Sequence, residues 1–149
     1  MGDIAGWLEG LREKDNKRAY ACLLRLLEES EVSDQVFQYF DLFLELMHEK
    51  NSFMRTRGIL LFAANAKWDD AGLVERNIDC YLAHLKDAKP IVSRKCIQAL
   101  PQIVRARPEL RERVCAALQN MGDPGYAESM ACLIQRDIAA VLDEIGKCG

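Results

Sequence analysis

Histidine is scarce in this 149-residue sequence: His48 and His84 are the only two. No GxSxG, P-loop, GxGxxG or HExxH motif stands near either one, so the usual arrangements for nucleophilic, phosphate-handling or zinc-dependent chemistry are missing. The two histidines lie 36 residues apart near the expected ends of helices, where a cation complements the helix dipole, and a structural role is expected of them. No apolar run approaches the roughly 20 residues of a membrane span. Sustained period-two alternation is missing too, which argues against strands. The opening MGDIAGWLEG starts acidic, lacks the basic-then-apolar layout of a signal peptide, and has Gly6 where a myristoylation signal needs Ser or Thr. A cytoplasmic protein is the expectation. Strong charge of one sign is also lacking: the net charge of −3 gives no whole-molecule attraction to nucleic acid or to an anionic membrane.

Cysteine is not lacking, but its arrangement is uninformative about ligands. Cys22, Cys80, Cys96, Cys115, Cys132 and Cys148 form no CxxC pair, and neither histidine sits at ligand spacing from any of them. The expectation is reduced thiols used as small core residues, with no metal and no other cofactor.

What the sequence does contain is recurrence. Asp15, Asn51, Asp87 and Asp123 follow one another at steps of 36 residues. Each can accept hydrogen bonds from the free N–H groups of a first helical turn, and Pro124 after Asp123 would suit the first helical position. Leu46, Leu82 and Leu118 keep the same step, as do Leu8, Leu44 and Cys80, and also Leu24, Leu60, Cys96 and Cys132. Between the caps the apolar spacing is helical: Ile4, Trp7, Leu8 and Leu11 behind Asp3, and Val36, Phe37, Phe40, Leu44 and Met47 behind Ser33. Further helices are expected over 16–29, 52–66, 71–85, 88–106, 108–119 and 124–145, making eight. Paired helices of this kind cannot bury their apolar faces alone and must stack on their neighbours. The last, apolar helix would fold over the end of the stack or leave a patch for a partner.

A period in the high thirties, two helices per unit, and an arginine leading an apolar run in MRTRGILLFAANA and VSRKCIQALPQI resemble HEAT-like repeats, in particular small single-domain bacterial proteins of that kind. The resemblance implies an all-α fold: one domain, a right-handed α-solenoid of about four hairpins at approximately 1–30, 31–66, 67–106 and 107–149. It further implies that the second helices line a concave side where partners bind. It also implies a ladder in which Asp15, Asn51 and Asp87 meet Arg18, Arg55 or Arg57, and Arg94, stopping at the fourth unit.

Charge is segregated along the chain. Residues 28 to 49 carry seven carboxylates and no Lys or Arg, whereas residues 86 to 113 carry eight Lys and Arg against three carboxylates. Stacking would set the two runs side by side. Within the second run, Arg94, Lys95, Gln98, Gln102 and Arg105 form one polar edge of a helix whose other positions, Ile91 among them, are apolar. Pro101 should bend that helix. A solvated face explains the edge, and a contact surface for a protein partner is the functional alternative. The leading expectation is therefore a non-catalytic interaction module whose protein partner is unknown. The rival is a nucleic-acid (alkylated-base) binding or repair protein of HEAT-like fold. It would need phosphate contacts along the whole groove, together with a stacking residue such as Trp68.

Overall fold

The structure is a computed structural model that describes residues 3–147. Cys148 and the Met1–Gly2 start lie outside the described residues. The described chain holds eight α-helices and no strand: α1 (Ile4–Gly10), α2 (Asn16–Val32), α3 (Phe40–Met47), α4 (Ser52–Asn65), α5 (Leu73–Leu82), α6 (Pro90–Ala106), α7 (Arg111–Gln119) and α8 (Glu128–Lys147). Short 3₁₀ turns at Val36–Tyr39, Ala66–Trp68, Ala83–Lys86 and Pro108–Leu110 occupy helix ends that the apolar spacing assigned to longer helices. No helix is long and apolar enough to cross a membrane among the described residues.

Capping explains the helix starts, and it corrects two of the expected ones. Asp3 accepts from the Gly6 N–H at 3.1 Å, Asp15 from Lys17 at 3.0 Å, and Asn51 from Phe53 and Met54 at 2.8 and 3.3 Å. Asp87 does accept from the Lys89 N–H at 2.9 Å, but its helix starts later, with Pro90 in the first turn. Asp123 holds only Gly125, at 2.8 Å, and α8 starts at Glu128, leaving Pro124 outside the helix. Gly122 and Gly125, on either side of that proline, hold φ at 71° and 84°, a backbone that other residues adopt only with strain.

The helices pack as neighbours in sequence. α1 lies on α2 and α3 on α4, while α2, α4, α6 and α8 touch in series and α7 rests on α6 and α8. The second helices begin at 16, 52, 90 and 128, steps of 36, 38 and 38. Leu11, Met47, Leu85 and Met121 are all buried, at steps of 36, 38 and 36. Two residues have therefore been added in the turn at 66–72 and two more in the turn at 120–127, so a strict 36-residue step drifts out of register. Leu46 and Leu118 are buried, but Leu82, which keeps the 36-residue step with Leu118, is only half so. Leu8 is buried, with Leu44 and Cys80 half-buried; Cys96 is buried while Leu24 and Cys132 are exposed. Thiol as core filler holds for Cys96 and fails for Cys132.

A different set of small residues recurs at the true step: Cys22, Gly58 and Cys96, each where the second helix of a pair crosses the first. A Cβ on Gly10 would lie 2.3 Å from the Cys22 Sγ, and one on Gly58 would lie 2.7 Å from the Phe43 carbonyl oxygen. The Cys96 thiol meets the Tyr81 carbonyl at 3.5 Å, and the Tyr81 hydroxyl donates to the Cys96 carbonyl at 2.7 Å. Tyr81 also packs on Phe62, which packs on Phe40, with ring centroids 5.1 and 5.2 Å apart. These contacts tie α3, α4, α5 and α6 into one core. Pro101 is buried inside α6, which continues to Ala106.

Candidate interaction surface

The polar edge of α6 divides into two parts. Arg94 turns toward α8, giving Asp137 two hydrogen bonds, from Nε at 2.7 Å and Nη2 at 3.2 Å. The bond to Asp137 raises the Arg94 pKa above its ordinary value. Gln98 reaches the same carboxylate at 3.5 Å, and Arg105 pairs with Glu144 at 2.9 Å. Arg111 adds a bond from Nε to the Ile145 carbonyl at 3.0 Å. The last helix is thus laced along α6 by charged bonds as well as by Ile134, Ile138, Val141 and Ile145, all buried. Lys95 stays exposed, and Gln102 is half-buried in a cleft.

That cleft runs across α2, α4 and α6. One part, of about 430 Å³, has Leu24, Leu27, Leu60 and Ala64 as its floor and Glu28, Glu31 and Gln102 at its rim. A second part of about 280 Å³ shares Glu31, Ala64 and Gln102 and extends to Lys67 and Arg105. Lys67 bridges to Glu31, reaching its carboxylate at 3.5 Å and its carbonyl at 3.0 Å. Toward the starts of the same helices, exposed apolar side chains lie on the same faces. Tyr20 (57% exposed) stands four residues before Leu24 (43%), Phe53 (55%) seven before Leu60, and Ile91 (61%) seven before Gln98. Three, four and seven are the spacings that bring helical side chains onto one face. Ile91 therefore belongs to the exposed face and not to the buried side expected of it.

Of the expected ladder, Asp87 meets Arg55 and Arg94 turns to Asp137 instead, while Asp15 and Asn51 serve as caps to Lys17 and to Phe53 and Met54. Arg55 gives Asp87 a bidentate pair at 2.9 and 2.8 Å and also bonds the carbonyls of Glu49 and Lys50. His84 Nδ1 lies 2.9 Å from Asp87, and the Tyr126 hydroxyl donates to the Asp87 carbonyl. Burial pushes the Asp87 carboxyl pKa up, but bonds from Arg55, the Lys89 N–H and His84 outweigh it and hold the group below its ordinary value. Arg57 serves the first unit, donating to the Leu11 carbonyl and the Asn16 side chain at 2.7 and 3.2 Å. Burial lowers its pKa. The step to α8 runs through Arg94 and Asp137, for which no recurring acidic position gave a signal.

The two charged runs pair mostly with other parts of the chain. In the acidic run, Glu45 and Glu49 pair with Arg12, and Glu31 with Lys67. In the basic run, Arg113 pairs with Asp79 while Arg94 and Arg105 pair with α8. Arg55 with Asp87 and Lys67 with Glu31 link residues 31–66 to residues 67–106 by charge. The histidines are separately engaged: His48 Nδ1 lies 2.7 Å from the Leu44 carbonyl, away from the Asp87 cluster. No group of three His, Cys, Asp or Glu among the described residues converges as a metal ion would require. Comparison with family models, with curated proteins and with solved structures found no match to this chain.

Proposed function

We propose that the chain is a non-catalytic protein-interaction module, a short right-handed α-solenoid of HEAT-like hairpins whose concave side is the α2–α4–α6 face. The series packing of second helices supports that architecture. The observation that carries the functional reading is the exposure of Tyr20, Leu24, Phe53 and Ile91 beside one apolar-floored cleft. Exposed apolar groups gathered at a groove with a polar rim fit a partner better than they fit water. The rim sets the partner's chemistry. Lys95 stands exposed two turns before Gln102 on α6, and Glu28 lies at the α2 rim, so the fitting occupant is a protein segment with apolar anchors, acidic toward α6 and basic toward α2.

Selection of a random displayed peptide library on the full chain tests this. Enriched peptides should share that apolar-with-bipolar pattern and should lose at least tenfold in affinity to a Leu24→Glu or Leu60→Glu variant that retains its circular dichroism. Binding unchanged by either variant, or no enrichment at all, would overturn the assignment. The nucleic-acid alternative draws less support, because Arg94, Arg105 and Arg113 already pair with carboxylates. The Trp68 indole N–H is likewise bound to the Ser30 carbonyl at 2.7 Å.

A further inference from the structure

A second concavity, of about 350 Å³, lies between the turn after α2 and the turn after α4 and shares no lining residue with the cleft described above. Its lining joins three aromatic residues, Phe37, Phe40 and Trp68, and the apolar Leu73 to three carboxylates, Asp34, Asp41 and Asp70. No basic side chain lines it. The acidic run explains why this spot stays negative. Arg12 takes Glu45 and Glu49, Lys67 takes Glu31, and the Ser33 hydroxyl donates to Glu29 at 2.5 Å. Asp34 and Asp41 are left to the pocket, and Asp70 joins them from the other turn.

Two features fix the kind of cation. The three carboxylates do not converge closely enough to hold a metal ion, so the charge they attract must be spread over a larger group. The indole is also able to hold such a group: Lys67 Nζ already sits 5.4 Å from the Trp68 ring centroid, although Lys67 does not line the pocket. An organic cation against an aromatic surface ringed by carboxylates gains from both the ring quadrupole and the opposite charges. The indole is held in place by its bond to Ser30, so the aromatic wall is formed before any ligand arrives. We infer that this pocket receives the cationic tip of a Lys or Arg side chain presented by a partner polypeptide. Asp34, Asp41 and Asp70 supply the counter-charge, and Phe37 and Trp68 supply the contact surface.

Backbone amide and indole N–H resonances of the full chain, followed at constant ionic strength, test the inference. The probes are short peptides carrying one Lys or one Arg, matched neutral peptides carrying norleucine or citrulline, and tetramethylammonium. The cationic peptides should produce saturable shifts confined to residues 34–41 and 68–73, weakened at least tenfold in an Asp34→Asn, Asp70→Asn double variant. Both substitutions are at exposed positions and should leave the remaining resonances in place. Three outcomes would overturn it: no saturable shift at these residues, equal shifts from the neutral peptides, or undiminished binding by the double variant. Tetramethylammonium binding as tightly as the peptides would overturn the assignment to a polypeptide. Peptides binding here while the cleft across α2, α4 and α6 binds nothing would leave this site standing and remove only the function proposed above.

Discussion

Arg55 and Asp87 meet across 32 residues of chain in a bidentate pair whose side chains are only 13% and 3% exposed. This is the most enclosed pair of an arginine or lysine with a carboxylate in the described chain, and one partner removed would strand the other. Breaking a buried pair from one side costs roughly 3–5 kcal/mol. Asp87→Ala should therefore lower the unfolding free energy by about that much in chemical denaturation, more than Arg12→Ala, whose pairs are exposed and worth at most about 1 kcal/mol. Equal losses would mean that Asp87 is no better connected than a surface carboxylate.

The same residue sets an acid limit. Asp87 and Asp69 both have folded pKa values below the ordinary one. For Asp69, burial acts upward but is outweighed by the N–H groups of Val74, Leu73 and Ala71 and by the charge of Arg107. A depressed folded pKa means the unfolded chain binds more protons, so the stabilisation is complete above the unfolded value near pH ~3.9. It is lost as pH falls through the still lower folded values. The wild-type chain should lose stability steeply below about pH 4, and Asp69→Asn should flatten that slope while lowering stability at pH 7. A variant with the wild-type slope would show that Asp69 does not contribute to it.

Helix crossings make a sharper demand. Alanine for glycine in a helix ordinarily gains about 1 kcal/mol, and Gly146, with nothing within 4 Å of an added Cβ, should show a gain of up to that size, reduced by fraying near the end of α8. Gly58 should behave oppositely. Its Cβ would lie 2.7 Å from a carbonyl oxygen and 2.9 Å from Leu46 and Met47 side-chain carbons, and overpacking of this kind costs about 1–3 kcal/mol. Melting temperatures should move up for Gly146→Ala and down for Gly58→Ala.

Much of this was legible in the sequence, for identifiable reasons. Helix number and the caps at Asp3, Asp15 and Asn51 follow from local spacing and side-chain reach, which need no tertiary information. The change from a 36- to a 38-residue step between the starts of α2, α4, α6 and α8 was not legible, because two more residues in a turn leave apolar periodicity intact on both sides. Leu24 and Cys96 therefore shared a row in the sequence although one is exposed and the other buried. Of the candidate edge, Gln98, Gln102 and Arg105 do share a face, but the pairing of Arg94 depends on where α8 comes to rest. The loop leading to α8 holds Gly122 and Gly125 at positive φ, a choice any glycine permits and none announces.

The cysteines offer a chemical readout of the corrected register. Cys96 is fully buried, and burial raises its thiol pKa well above the usual value, so little thiolate is present or reachable. Cys132 is exposed on α8. Under native conditions a thiol reagent should label Cys132 within minutes and reach Cys96 only on denaturation. Peptide mass mapping would tell the sites apart, and fast labelling of Cys96 would contradict its place against Tyr81.

The attachment of α8 decides how the α6 edge should be probed. Arg94 and Asp137 form a bidentate, half-buried pair, whereas Arg105 and Glu144 are more than half exposed. Exposed pairs couple by about 0.2–1 kcal/mol, and a bidentate pair held in one geometry couples more strongly than a single exposed contact. Double-mutant cycles to alanine should thus give the larger coupling for Arg94 with Asp137. Reversing Arg94 to Glu would set it against Asp137 and loosen α8, so a loss of binding in that variant would report stability and not contact. Lys95→Glu and Gln102→Ala leave the α8 pairs untouched and should weaken a bound peptide with no change in melting temperature. A cycle in which the two pairs couple equally would mean that α8 is held by its apolar face alone, and Arg94 would return to the list of contact residues.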